Sequence, residues 1–159
     1  MERVSFDPVL PENPKLFILG TMPGKQSLKK QQYYANSRNS FWKIIYELTE
    51  EVYSENYAER IDTLKRNHIA IWDICEFGDR KTSLDSDIKN ELPNPINEII
   101  EMFPSVKKIV FNGKKAAKLY GKYFKDIEGI VYETVLSTSP ANARFSFREK
   151  LNNWKIAVL

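Results

Sequence analysis

The sequence predicts an α/β sandwich, a parallel sheet with helices on both faces. Three observations predict it: short apolar runs of strand length recur along the chain, helical periodicities separate them, and several runs end on turn residues such as Gly20, Asn112-Gly113 and Ser137. Strands alternating with helices need crossover connections, which put helices over both sheet faces. Right-handed crossovers are the default. The chain of 159 residues suits a single domain with one hydrophobic core, spanning 1–159 without repeat, low-complexity tract or linker.

Lys15-Leu16-Phe17-Ile18-Leu19 is an apolar run ending at Gly20, as a buried strand would be. Phe41, Ile45 and Leu48, beside Trp42 and Ile44, have helical spacing, as do Tyr57, Ile61 and Leu64 up to a stop near Asn67. Ile69 to Ile74 reads as a second buried strand. Asn94-Pro95 predicts a helix start, asparagine as cap and proline in the first turn. Ile96, Ile99, Ile100 and Phe103 then line one face before Pro104. Ile109-Val110-Phe111 is a third strand, turning at Asn112-Gly113 into a helix with Ala116, Leu119, Tyr120 and Tyr123. Ile130 to Leu136 is a fourth strand, and a last helix covers Phe145 to Trp154 and beyond.

Composition narrows the chemistry. Apolar residues make up 42% and charged residues 28%, ordinary values for a globular domain. The apolar runs are too short to cross a membrane. The opening Met1-Glu2-Arg3-Val4 lacks the basic stretch and apolar core of a secretory signal, so a cytoplasmic location is expected. One cysteine, Cys75, allows no internal disulfide and no four-thiolate cluster, and one histidine, His68, leaves no zinc site of the usual kind. His68 falls between a helix and a strand, where a histidine suits the helix dipole. No metal and no cofactor is expected, and nothing suggests a dimer seam, so a monomer is expected. The net charge is +3, with basic clusters at Lys25, Lys29 and Lys30, at Lys114, Lys115 and Lys118, and at Arg144, Arg148 and Lys150. They fit a phosphate-rich partner.

In open α/β sheets, ligands sit beyond the carboxyl ends of the strands. That rule picks out Gly20–Ser27, Asp73–Gly78, Asn112-Gly113 and Ser137–Arg144. Gly20-Thr21-Met22-Pro23-Gly24-Lys25 lacks both the spacing of a phosphate-binding loop and that of the dinucleotide fingerprint. Its glycines still permit a turn whose amides face a substrate, or simply a tight turn. Tyr33-Tyr34, in a polar loop, offers an aromatic plate on which a splayed base can stack. Asn39 precedes an apolar helical run and reads equally as a helix cap. Ser137 to Arg144 is a proline-stiffened, hydroxyl-rich connection ending in a cation, suited either to joining strand and helix or to pressing into a duplex groove.

Taken together, Gly20-Thr-Met-Pro-Gly24, Gln31 through Trp42 and Ser137-Thr-Ser-Pro-Ala-Asn-Ala-Arg144 resemble the DNA-deoxyinosine (hypoxanthine-DNA) glycosylases, a branch of the uracil-DNA glycosylase superfamily. Supporting matches lie at Ile69–Ile74, Ser83-Leu84-Asp85-Ser86 and Phe111-Asn112-Gly113, so the resemblance runs from about Leu16 to Trp154. It implies a three-layer α/β/α fold with a four-stranded parallel sheet. It also implies a catalytic Asn39, a base site formed by Thr21, Met22, Pro23, Gly24, Tyr34, Phe111 and Asn112, and a DNA-entering loop of Ser137, Thr138, Ser139, Pro140, Ala141, Asn142 and Arg144. Many superfamily relatives carry Asp or Asn where this chain has Thr21-Met22, and a histidine where it has Ser137-Thr138-Ser139.

The expected activity is therefore excision of a deaminated base, most readily hypoxanthine, from flipped-out DNA. Asn39 would orient water beneath C1′ while backbone amides of 21–24 and hydroxyls near Thr138 and Ser139 meet charge on the base. Uracil or mismatch excision is the nearest alternative. A nucleoside hydrolase or deoxyribosyl transferase would instead need a carboxylate at the sheet edge, for which Asp73 is the candidate. A non-catalytic nucleic-acid-binding domain is the third reading.

Overall fold

The structure, a computed structural model, describes residues 3–82 and 84–159. Its strands are β1 (Leu16–Gly20), β2 (Ile69–Asp73), β3 (Cys75–Arg80), β4 (Ile88–Pro93), β5 (Lys108–Asn112) and β6 (Val131–Val135). Its helices are α1 (Lys25–Lys30), α2 (Phe41–Thr49), α3 (Tyr57–Arg66), α4 (Ile96–Glu101), α5 (Lys114–Tyr123) and α6 (Phe147–Val158). Four strands form one parallel sheet, as the alternation of strands and helices predicts, and their order is β2-β1-β5-β6.

Side-chain parity divides the molecule into two cores. Leu16 and Ile18 of β1 point to one side, with Ile69, Ile71 and Val110, and are covered by α2, α3 and α6 through Phe41, Ile45, Leu64, Leu151 and Trp154. Phe17 and Leu19 point to the other, with Ala70, Trp72, Ile109 and Phe111, and meet α4 and α5 through Ile96, Ile100, Ala116, Leu119 and Tyr120. All five residues of β1 and of β2 are buried, because both faces are covered. Each fully buried aliphatic side chain contributes on the order of 2 kcal/mol.

Two local expectations are corrected. Asn94 is not the cap of α4; Pro95 occupies that position, with no side-chain cap bond. Asn94 is buried, its Nδ2 donates to the Asp73 carbonyl at 2.9 Å and its Oδ1 accepts from Ser5 Oγ at 3.3 Å. A buried amide bonded at both ends serves the end of β2 rather than a helix terminus. The last helix begins at Phe147, two residues later than expected, because Ser146 and Glu149 form a reciprocal capping box. The antiparallel pair β3–β4, irregular at two points along its register, was not expected from the sequence. His68 is exposed in a left-handed conformation (φ 57°), and its carbonyl accepts from Lys15 N at 2.8 Å.

Gly20 pairs with Asp73, and Asn112 with Val135, so the carboxyl ends of the four parallel strands finish level.

Candidate active site

A cleft of about 450 Å³ opens over this edge, lined by residues from β1, β2, β5 and the connections after them, with Arg80 of β3. The segment before α2 forms one wall. Tyr33 is sunk in the core: its O–H donates to the Asp7 carbonyl at 2.8 Å, its N–H donates to Tyr57 Oη at 3.0 Å, and its carbonyl accepts from Trp42 Nε1 at 3.0 Å. Ala35 N–H donates to Ser27 Oγ at 3.1 Å. Held on both sides, Tyr34 adopts a left-handed backbone (φ 53°) that an aromatic residue rarely takes. Its ring stacks on Phe41 at 3.8 Å between centroids. One face is thus covered, and the partly accessible remainder of the ring lines the cleft.

The Tyr34 hydroxyl is buried, with no well-formed hydrogen bond among the described residues. Burial and the nearby Asp73 push its pKa up, while the Asn112 amide pulls it down. A Cβ placed on Gly20 would lie 2.6 Å from Asp73 Oδ1 and 2.9 Å from Tyr34 Oη. Glycine is required here for close approach, so Gly20→Ala should force both polar groups aside. We expect about 1–3 kcal/mol of destabilisation from the overpacking, read by urea unfolding, and impaired function in the folded fraction.

Asn39 occupies the turn into α2. Its Oδ1 accepts the Phe41 N–H at 3.0 Å, while Ser40 holds the formal cap position without a side-chain cap bond. The amide therefore fastens the turn, yet it also lines the cleft and keeps its Nδ2 and a second oxygen lone pair for other partners. Ser40 N–H donates to the Thr138 carbonyl at 3.0 Å, joining this turn to the last loop.

That last loop is a built structure. Asn112 Nδ2 donates to Thr138 Oγ1 and its Oδ1 accepts Thr138 N–H, each at 3.0 Å. Trp154 Nε1 donates to the Leu136 carbonyl at 3.0 Å, and the buried Lys150 Nζ donates to the Ser139 carbonyl at 3.2 Å. Asn142 Nδ2 closes the turn on the Ser137 carbonyl at 3.2 Å.

On the opposite wall Arg80 Nη1 donates to the carbonyls of Met22 and Pro23 at 2.9 and 3.2 Å, and Nη2 to Asp85 at 2.6 Å. Thr21 Oγ1 donates to the same carboxylate oxygen at 2.9 Å. The 20–24 turn is thereby tied to the β3–β4 pair. Asp73, 4% exposed, lines the cleft; burial pushes its carboxyl up to about 7, against the pull of Arg80 and with help from Asp85. Burial pushes the Cys75 thiol up to about 12, which removes it as a thiolate nucleophile at neutral pH.

Of the residues singled out from sequence, Thr21, Met22, Pro23, Gly24, Tyr34, Asn39, Asp73, Asn112, Ser137, Thr138, Ser139, Pro140 and Ala141 all line this one cleft. Phe111 does not. Strand parity turns its ring into the second core, against Tyr120 and Tyr132, so its assignment to the base site is corrected. Asn142 and Arg144 line an adjoining hollow with Lys114 and Asn153, and the exposed Arg144 guanidinium lies 4.9 Å from the Phe145 ring centroid. Arg80, Thr82, Arg38 and Phe6 were missed. Arg80 lies on the unexpected hairpin; Leu84 and Asp85 fall in the Ser83–Ser86 match, whose Ser83 is outside the described residues. Among the described residues no three His, Cys, Asp or Glu side chains gather into a metal site, and no helix is long and apolar enough to cross a membrane.

Comparison with known proteins gives a consistent result. The chain is 38% identical over 157 residues to a hypoxanthine DNA glycosylase of Methanosarcina barkeri, covering 97% of this chain and 96% of the relative. It is 38% identical over 158 residues to a hypoxanthine DNA glycosylase of Methanosarcina acetivorans, covering 98% and 97%. A solution NMR structure of a candidate uracil DNA glycosylase from Methanosarcina acetivorans superposes with a TM-score of 0.79 at 34% identity, covering 99% of each chain. The family model of the Uracil DNA glycosylase superfamily matches residues 8–158. With sheet order, cleft and sequence agreeing over almost its full length, the chain belongs to the Uracil DNA glycosylase superfamily.

Proposed function

We propose that this chain is a monofunctional DNA glycosylase that flips a deaminated base, hypoxanthine foremost, out of DNA and hydrolyses its glycosidic bond. The observation that carries the reading is convergence: an aromatic plate (Tyr34), an amide (Asn39) and the braced 137–141 loop meet in one cleft at the carboxyl edge of the sheet. The near full-length identity to the two hypoxanthine DNA glycosylases supports the same substrate. The enzyme would act as a cytoplasmic monomer.

The chemistry asks little of a nucleophile. The glycosidic bond breaks with cationic character in the sugar, so water needs orientation rather than strong activation. Asn39, its oxygen already fixed by Phe41 N–H, can hold a water beneath C1′. Tyr34 stacks on the extruded base, and the hydroxyls of Thr138 and Ser139, which accept bonds within the loop, retain their own protons to donate. Extrusion costs a few kcal/mol and is cheapest for a mispaired base, which favours lesions.

The test is base release from duplexes carrying hypoxanthine, uracil or xanthine, run beside free deoxyinosine. Release from hypoxanthine duplex with the nucleoside untouched supports the reading; release from the nucleoside alone would mean a nucleoside hydrolase. Arg144, beside Lys114 in the adjoining hollow, is assigned to a DNA phosphate. Arg144→Ala should weaken duplex binding and lower the slope of log K against log salt by about 1. An unchanged slope in a fluorescence-anisotropy titration would reduce this residue to a bystander.

A further inference from the structure

We propose that Asp73 is the proton donor to the departing base, and that Asp73 with the Tyr34 hydroxyl forms the polar floor of the cleft that receives it. The proposal rests on the glycosylase reading above.

Two buried polar groups of the cleft lining converge beside Gly20. The Gly20 backbone leaves room for both: the point where a side chain would begin there is 2.6 Å from Asp73 Oδ1 and 2.9 Å from Tyr34 Oη. The Tyr34 hydroxyl is fully buried and, among the described residues, makes no well-formed hydrogen bond, the Asn112 amide being the polar group beside it; such an arrangement is costly unless a ligand completes it. The Asn94 amide fixes the Asp73 carbonyl at 2.9 Å, so the end of β2 is held firmly beneath the cleft. The groups facing the Asp73 carboxyl are Arg80 of β3 and Asp85 of the turn after it, which act on it in opposite directions, with Tyr33, Tyr34 and Cys75 around it. Burial dominates, and it keeps the acid protonated up to near neutrality.

A neutral acid in that place suits the reaction. As the C1′–N bond breaks, its electron pair leaves with the base, whose ring nitrogens and carbonyl oxygen gain negative charge. Asp73 gives its proton to the base, and the attacking water gives its oxygen and one hydrogen to C1′. The second water proton passes to solvent, and the Asp73 carboxylate regains a proton from solvent. An ionised carboxylate at the same position would repel the leaving base.

The test is single-turnover release of hypoxanthine from duplex DNA between about pH 5.5 and about pH 9. For the unaltered protein the rate should fall about tenfold per unit once pH exceeds the Asp73 value. D73N cannot supply a proton; its rate should be lower by about 100-fold at acidic pH and level through the alkaline range. D85N, which removes a charge that favours the protonated acid, should move the fall to lower pH. A level profile for the unaltered protein, or a D73N profile parallel to it, overturns the assignment. If the unaltered protein releases no base at any pH, the glycosylase reading itself fails.

Discussion

Asn39→Ala is expected to yield a folded protein that still binds lesion duplex but has lost about 100-fold or more of its single-turnover base release. Two roles meet in this side chain, and their magnitudes separate them. As a turn fastener it contributes one bond, Oδ1 to Phe41 N–H at 3.0 Å, worth about 1 kcal/mol. Against a domain stability of about 5–15 kcal/mol, that loss leaves nearly every molecule folded. A 100-fold loss of rate corresponds to about 2.7 kcal/mol in the barrier and cannot come from unfolding. Asn39→Asp keeps an acceptor for Phe41 N–H and so should melt near the unaltered protein. It also places a charge near the developing sugar cation, so part of the activity should survive. Thermal melting beside single-turnover release for the three proteins decides the matter. Near-normal release by folded Asn39→Ala would leave this residue as a turn fastener only.

The sheet was legible because three of its strands are buried on both faces, so Leu16–Leu19, Ile69–Trp72 and Ile109–Phe111 are unbroken apolar runs that need no partner to be recognised. The β3–β4 pair was not, because β4 buries only Ile88 and β3 only Cys75, and register shifts break what alternation remains. Arg80 went unseen with it: its bonds to Met22, Pro23 and Asp85 depend on a hairpin folding back over a distant turn. Asn94 misled for a different reason. Asparagine before proline is a good cap in isolation, but the buried end of β2 claimed its amide. Phe111 illustrates a limit of motif transfer, since a position beside the site in sequence lies on the wrong face of the strand. Asn39, Tyr34 and the 137–141 loop, far apart in the chain, were expected together only through family resemblance.

Asp73→Asn should make the protein more stable at pH 8 and leave its stability at pH 4 almost unchanged. The sign follows from linkage. In the unfolded chain this carboxyl titrates near 3.8, and in the folded protein burial raises it to about 7. Between those values the folded state holds a proton that the unfolded state has released. Stability is therefore full below the unfolded value and falls as pH rises through the folded one. Over a displacement of that size the unaltered protein loses up to about 4 kcal/mol, an upper bound, since relaxation around a buried charge reduces it. Asparagine has no charge to expose, so the difference between the two proteins should open between pH 4 and pH 7 and then level off. Urea unfolding at several pH values measures it; a difference that stays constant with pH would mean that Asp73 is already ionised at little cost. A carboxyl that weakens its own fold at neutral pH has no structural reason to be where it is, and the cleft it lines is where its use lies.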